Sequence, residues 1–199
     1  MDALTLSFGT VALTIFVAEL TDKDAFLLLA LSTRVRARLA FLAGTTAFLS
    51  TTAIFVTVGA FIVAFVPVYW VRLAGGAAML AYGVWEARGL VGSRAVVDEE
   101  ARIEKQAGAW KTFFAMVGAL ALLDLAGDAT EILTIVFVAR YENAFLVFTA
   151  AAVALVAATA VETTLGSRLS KVLTQQRLRY LSTAVFLVLG IAIILLNTA

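Results

Sequence analysis

Neither cysteine nor histidine occurs in the 199 residues, and proline occurs once. The lack of cysteine excludes disulfides and thiolate chemistry. The lack of histidine removes the usual near-neutral switch and the commonest metal ligand. Any metal must then be held by oxygen, with methionine sulfur the one other donor. Oxygen sites suit hard cations such as calcium, magnesium or manganese and disfavour copper and zinc. Charge is also scarce, at 15% of residues. The formal net charge of +1 points to no class of partner, and no nucleic acid is expected.

Apolar side chains fill the chain instead. Hydrophobic residues make up 62% of it and the mean hydropathy is +1.00, against about 45–50% apolar content in soluble domains. Apolar runs of the length a hydrocarbon core requires, about 20 residues, recur between short polar clusters. Polar stripes, which a soluble bundle would need, are nearly absent from them. The chain therefore reads as an all-α, multi-pass integral membrane protein in a lipid bilayer. No cleavable leader is apparent, since Met1-Asp2 lacks a basic region and the first apolar run leads into charges.

Six transmembrane helices are predicted, over about Leu4–Ser32, Leu39–Val66, Val71–Trp85, Thr112–Ala139, Ala144–Gly166 and Tyr180–Leu196, with Pro67 closing the second. Basic residues fall in the odd-numbered connections: Arg34, Arg36 and Arg38; Arg88, Arg94, Arg102, Lys105 and Lys111; Arg168, Lys171, Arg177 and Arg179. The even-numbered side has only Arg72 and Arg140. The positive-inside bias therefore puts both termini outside and the charged centre in the cytoplasm, with a prokaryotic cell membrane as the expected location. The polar stretches Asp98–Gly108 and Ser167–Arg177 are read as solvated linkers. The alternatives are a capped acidic helix for the first and an interfacial amphipathic helix for the second.

The halves repeat. "TDKDAFLLLALSTR" (Thr21–Arg34) lies over "GDATEILTIVFVAR" (Gly127–Arg140), with Asp22 on Asp128 and Arg34 on Arg140. The organisation expected is a three-span repeat over residues 1–88, a cytoplasmic charged linker over 89–110, and a second three-span repeat over 111–199. An odd number of spans inverts the copies, and inverted repeats place a transport site at their mid-membrane interface.

Acids occupy both matched segments. Glu19 and Asp22 share a helical face with Lys23 beside them, while Asp24 points elsewhere on a regular helix. Asp124, Asp128 and Glu131 form a stripe, with Gly127 permitting close approach. A carboxylate at mid-membrane costs at least about 2.5–3.5 kcal/mol, so six require a reason. Facing one another, they can surround a hard cation. Crowded like charges also favour protonation, so cations and protons compete for the same oxygens. That competition is the physical core of an antiporter. Snorkelling to water, or pairing with Lys23, is the structural alternative. Glu162, near Arg168, is read as interfacial rather than as a ligand, and Thr45, Thr46, Thr51 and Thr52 as helix contacts.

The segment "ELTDKD" (Glu19–Asp24) resembles the Glu-x-Gly-Asp-(Lys/Arg)-(Thr/Ser) motif of the transmembrane protein 165 family at Glu, Asp and Lys, and "AFLLLALSTRVRARLAFLAGTTAFL" resembles its continuation. In the second copy, "LAGDAT" (Leu125–Thr130) keeps Gly127, Asp128 and Thr130 but has leucine at the glutamate position and alanine at the basic one. The resemblance implies a six-span, two-repeat antiporter exchanging Mn2+ or Ca2+ for protons. Glu19, Asp22 and Asp128 carry over as metal ligands; Asp24, Asp124 and Glu131 of the acidic patches complete the candidate metal set, supported by Lys23, Gly127 and Thr130. Either Asp124 or Glu131 would replace the missing glutamate. No catalytic residue and no tightly bound cofactor is implied; the divalent cation is cargo, and a homo-oligomer is compatible. Two alternatives stay open: an exporter of another cation or small solute on the same scaffold, and, remotely, an intramembrane aspartyl protease using Asp22 and Asp128.

Overall fold

A computed structural model describes residues 3–88, 108–125, 129–172 and 175–198, and among these every regular element is an α-helix. The order is α1 (Ala3–Thr21), α2 (Lys23–Ser32), α3 (Ala37–Phe65), α4 (Val68–Ala87), α5 (Ala109–Leu125), α6 (Ala129–Tyr141), α7 (Ala144–Val172) and α8 (Gln175–Thr198). Segments Leu4–Thr21, Ala37–Phe65 and Ala144–Leu165 are each long and apolar enough to cross a membrane.

Helix boundaries follow local chemistry. Pro67 caps α4, and the residue before it, Val66, takes the extended conformation that a following proline favours (φ −113°, ψ 127°). The Asn143 side chain accepts a hydrogen bond from the Leu146 amide at 3.0 Å and so caps α7. The predicted Ser167–Arg177 linker is instead largely helical: α7 runs on to Val172 and α8 starts at Gln175. Apolar periodicity fades there, but the backbone hydrogen-bond ladder needs no apolar side chains. The predicted Asp98–Gly108 stretch lies, up to residue 107, outside the described residues.

The break at Asp22 shapes the molecule most. Thr21 Oγ1 donates back to the carbonyls of Ala18 (2.9 Å) and Val17 (3.2 Å), a local competition that bends helices. The Asp22 amide then reaches only three residues back, to Glu19, at 3.1 Å. The Thr21 carbonyl freed by the break accepts a hydrogen bond from Ser182 Oγ of α8 at 2.7 Å. In an apolar medium such backbone groups must find partners within the protein.

The halves interlock. α3 packs on α7 and α4 along α8; α1 and α2 pack on α7 much as α5 and α6 pack on α3. Small residues bring α4 and α8 close: a Cβ added at Gly190 would lie 2.9 Å from Leu80 Cδ2 and 3.0 Å from the Gly76 carbonyl. The outer surface is apolar, with Phe65 at 73%, Trp110 at 75% and Phe145 at 78% exposure. Acids lie inside: Glu19, Asp22, Asp24, Asp124, Glu131 and Glu162 are all buried. Buried acids beneath a greasy exterior reverse the arrangement of a soluble domain and are what a bilayer demands.

Candidate functional site: a buried acidic centre between the repeats

Two helix junctions position the acids. Glu19 sits on the last turn of α1, Asp22 at the break, and Asp24 on the first turn of α2. Asp24 does not point away, as a regular helix would require; it is fully buried. The break at Asp22 re-aims the following turn, close enough to Glu19 for the two charges to repel. In the second half, Asp124 ends α5 and Glu131 lies on the first turn of α6, so the predicted stripe is carried by two helices. Both carboxyl groups are buried. Asp128 and Gly127 fall outside the described residues, as does the side chain of Lys23.

Two hydroxyls from one half meet acids of the other, and a third binds an acid of its own half. Thr130 Oγ1 of α6 donates to Glu19 Oε2 of α1 at 3.3 Å. Thr51 Oγ1 of α3 donates to Asp124 Oδ2 of α5. Tyr82 of α4 donates to Asp22 Oδ1 at 3.2 Å, with its ring edge-on to Phe186 of α8 at 5.1 Å between centroids. Among the described residues, no three acids are drawn together closely enough to hold a metal ion. Each of the three hydroxyls binds one acid.

Two sequence readings change. Thr51 is an acid-binding hydroxyl and not merely a helix contact. Glu162 does not reach the surface, as snorkelling to water would require: it is fully buried, with Asp24 and Glu19 among the acids near it. It is the sole acid in the apolar segment Ala144–Leu165, a signal that the nearby Arg168 obscured. Tyr82 and Ser182 gave no signal in the sequence; an aromatic and a serine are ordinary in apolar helices.

At the altered second motif, a buried acid and an exposed leucine stand side by side. Leu125 is 45% exposed, whereas Asp124 is buried at 3%. The carboxylate that faces inward from the end of α5 therefore comes one residue before the leucine.

Buried acids inside an apolar helical body are the arrangement of a functional site in an integral membrane protein. Residues 7–93 and 111–199 match the family described as divalent cation/proton antiporter GDT1, once for each half, and the chain belongs to that family. This is the family indicated by the motif resemblance, and its activity is transport, which disposes of the protease reading. No curated protein and no solved structure matches the chain.

Proposed function

We propose that this protein exchanges Mn2+ or Ca2+ for protons through one mid-membrane centre formed by Glu19, Asp22, Asp24, Asp124, Asp128 and Glu131. The observation that carries this reading is the hydrogen bond from Thr130 to Glu19, which ties the second motif to the first across the repeat boundary. Asp124 and Glu131 are both buried where α5 ends and α6 begins, and a divalent cation and protons would compete for their oxygens. The hydroxyls of Thr51 and Thr130 can donate to a carboxylate or turn a lone pair to a cation, so they suit both occupants. Oxygen-only donors favour the hard ions Mn2+ and Ca2+.

In this reading α1 with α2, and α5 with α6, each form one broken span, and α3, α4, α7 and α8 form one each. The result is six spans in two inverted halves with both termini outside. Support comes from Arg72 and Arg140, the only basic residues assigned to the outer connections: Arg72 Nη2 donates to the Arg140 carbonyl at 3.4 Å, so the two share one face.

The test is transport in proteoliposomes under an imposed pH gradient. Mn2+ or Ca2+ should move against the proton flow, and Asp22→Asn and Asp128→Asn should each abolish the movement. Normal exchange by both variants would overturn the paired-acid centre. Movement of another cation only would overturn the choice of Mn2+ and Ca2+.

A further inference from the structure

Glu162 of α7 belongs to neither motif, yet it occupies the acidic centre. It is fully buried, and neither Oε1 nor Oε2 has a hydrogen-bond partner among the described residues. A carboxyl kept for architecture comes with donors, because leaving it unsatisfied costs the full desolvation penalty. The acidic side chains near it, Asp24 and Glu19, offer none when ionised. Thr159 lies one turn earlier on the same face. Its Oγ1 is likewise buried without a partner among the described residues.

The placement is built into the packing. α7 lies against both α1 and α2, the two helices that carry the first motif. Gly44 of α3 leaves room for this: a Cβ there would lie 2.9 Å from Leu28 Cδ2 of α2 and 3.1 Å from Thr159 Cγ2 of α7. Glu19 Oε1 and Glu131 Oε2 are also buried without a hydrogen-bond partner among the described residues. Buried acceptors left without donors are what a hard cation, which accepts about six to eight oxygens, would satisfy.

We propose that Glu162, flanked by Thr159, is a ligand of the transported divalent cation, contributed by a third helix outside both repeat motifs. The inference rests on the exchange reading above. It also explains how a chain whose second motif has lost its glutamate keeps a full complement of acids.

The experiment uses the full chain in proteoliposomes, with Mn2+ and Ca2+ as probes, together with unfolding temperatures in detergent with and without each ion. Glu162→Gln should raise the cation KM by about tenfold or more, the loss expected when one charged ligand goes. Its unfolding temperature without cation should be unchanged or higher, because a buried, repelled acid has been neutralised, whereas the rise on adding Mn2+ should shrink. A purely architectural Glu162 would give the opposite pattern. Thr159→Val should raise KM in the same direction by a smaller factor, and Glu142→Gln, on the exposed turn before α7, should leave it unchanged. Glu162→Asp keeps the charge at a shorter reach and should alter the ratio of Mn2+ to Ca2+ affinity. Wild-type KM in Glu162→Gln, or an unchanged ion ratio in Glu162→Asp if the glutamine variant does not fold, would overturn the inference and leave the exchange reading intact. If the wild-type chain moves neither ion, the exchange reading itself falls, and the inference with it.

Discussion

Thr130 Oγ1 lies 3.3 Å from Glu19 Oε2, and the two residues are 111 positions apart in the chain. The contact places the hydroxyl of one repeat on the carboxylate of the other, so neither repeat holds a complete centre by itself.

That contact should be measurable. Thr130→Val removes the donor while keeping the branched shape, and the KM for the exchanged cation should rise about three- to tenfold, the range of hydrogen bonds inside membranes. Thr130→Ser should keep near-normal KM. Equal KM values in all three proteins would show that the hydroxyl does not act on Glu19.

Because Leu125 is 45% exposed and Asp124 is buried, restoring a motif-like glutamate at 125 should not help. Leu125→Glu should fail to rescue Asp124→Asn. It should also reduce the yield of folded protein, since a lipid-facing carboxylate costs about 2.5–3.5 kcal/mol. Transport assays on the single and double variants decide the point. Full rescue would mean that residue 125, and not 124, faces the centre.

Tyr82 makes two contacts that a single substitution separates. Tyr82→Phe keeps the edge-on packing against Phe186 but removes the hydroxyl that binds Asp22. The unfolding temperature should stay within about two degrees, a change well below 1 kcal/mol, while the cation KM rises severalfold. A large drop in stability with unchanged KM would assign Tyr82 to packing alone.

The α4–α8 contact depends on small residues. A side chain at Gly190 would collide with Leu80 and with the backbone of Gly76. Gly190→Val should therefore destabilise the folded protein by about 1–3 kcal/mol, the usual cost of overpacking, as read from detergent unfolding. Gly9→Ala is the control, since nothing lies within 4 Å of a Cβ there.

Much of the centre was legible in the chain. Carboxylates are so costly among apolar residues that Glu19, Asp22, Asp124 and Glu131 announce themselves, and the matched Asp22 and Asp128 disclose the repeat. Helical periodicity failed at Asp24, because a wheel assumes a continuous helix and the chain breaks at Asp22. It failed for Glu162 for a different reason: a lone acid near a helix end and a basic residue looks interfacial until neighbouring helices bury it.

The sequence by itself determined the solvent and the chemistry: an apolar helical chain for lipid, and oxygen as its metal donor, because histidine and cysteine are absent. Tertiary structure decided which oxygens meet. Hydrogen bonds such as Thr51 to Asp124, Tyr82 to Asp22 and Ser182 to the Thr21 carbonyl join separate helices. In an apolar interior, polar groups must be satisfied by whichever helix stands beside them, and one-dimensional spacing carries no record of that neighbour.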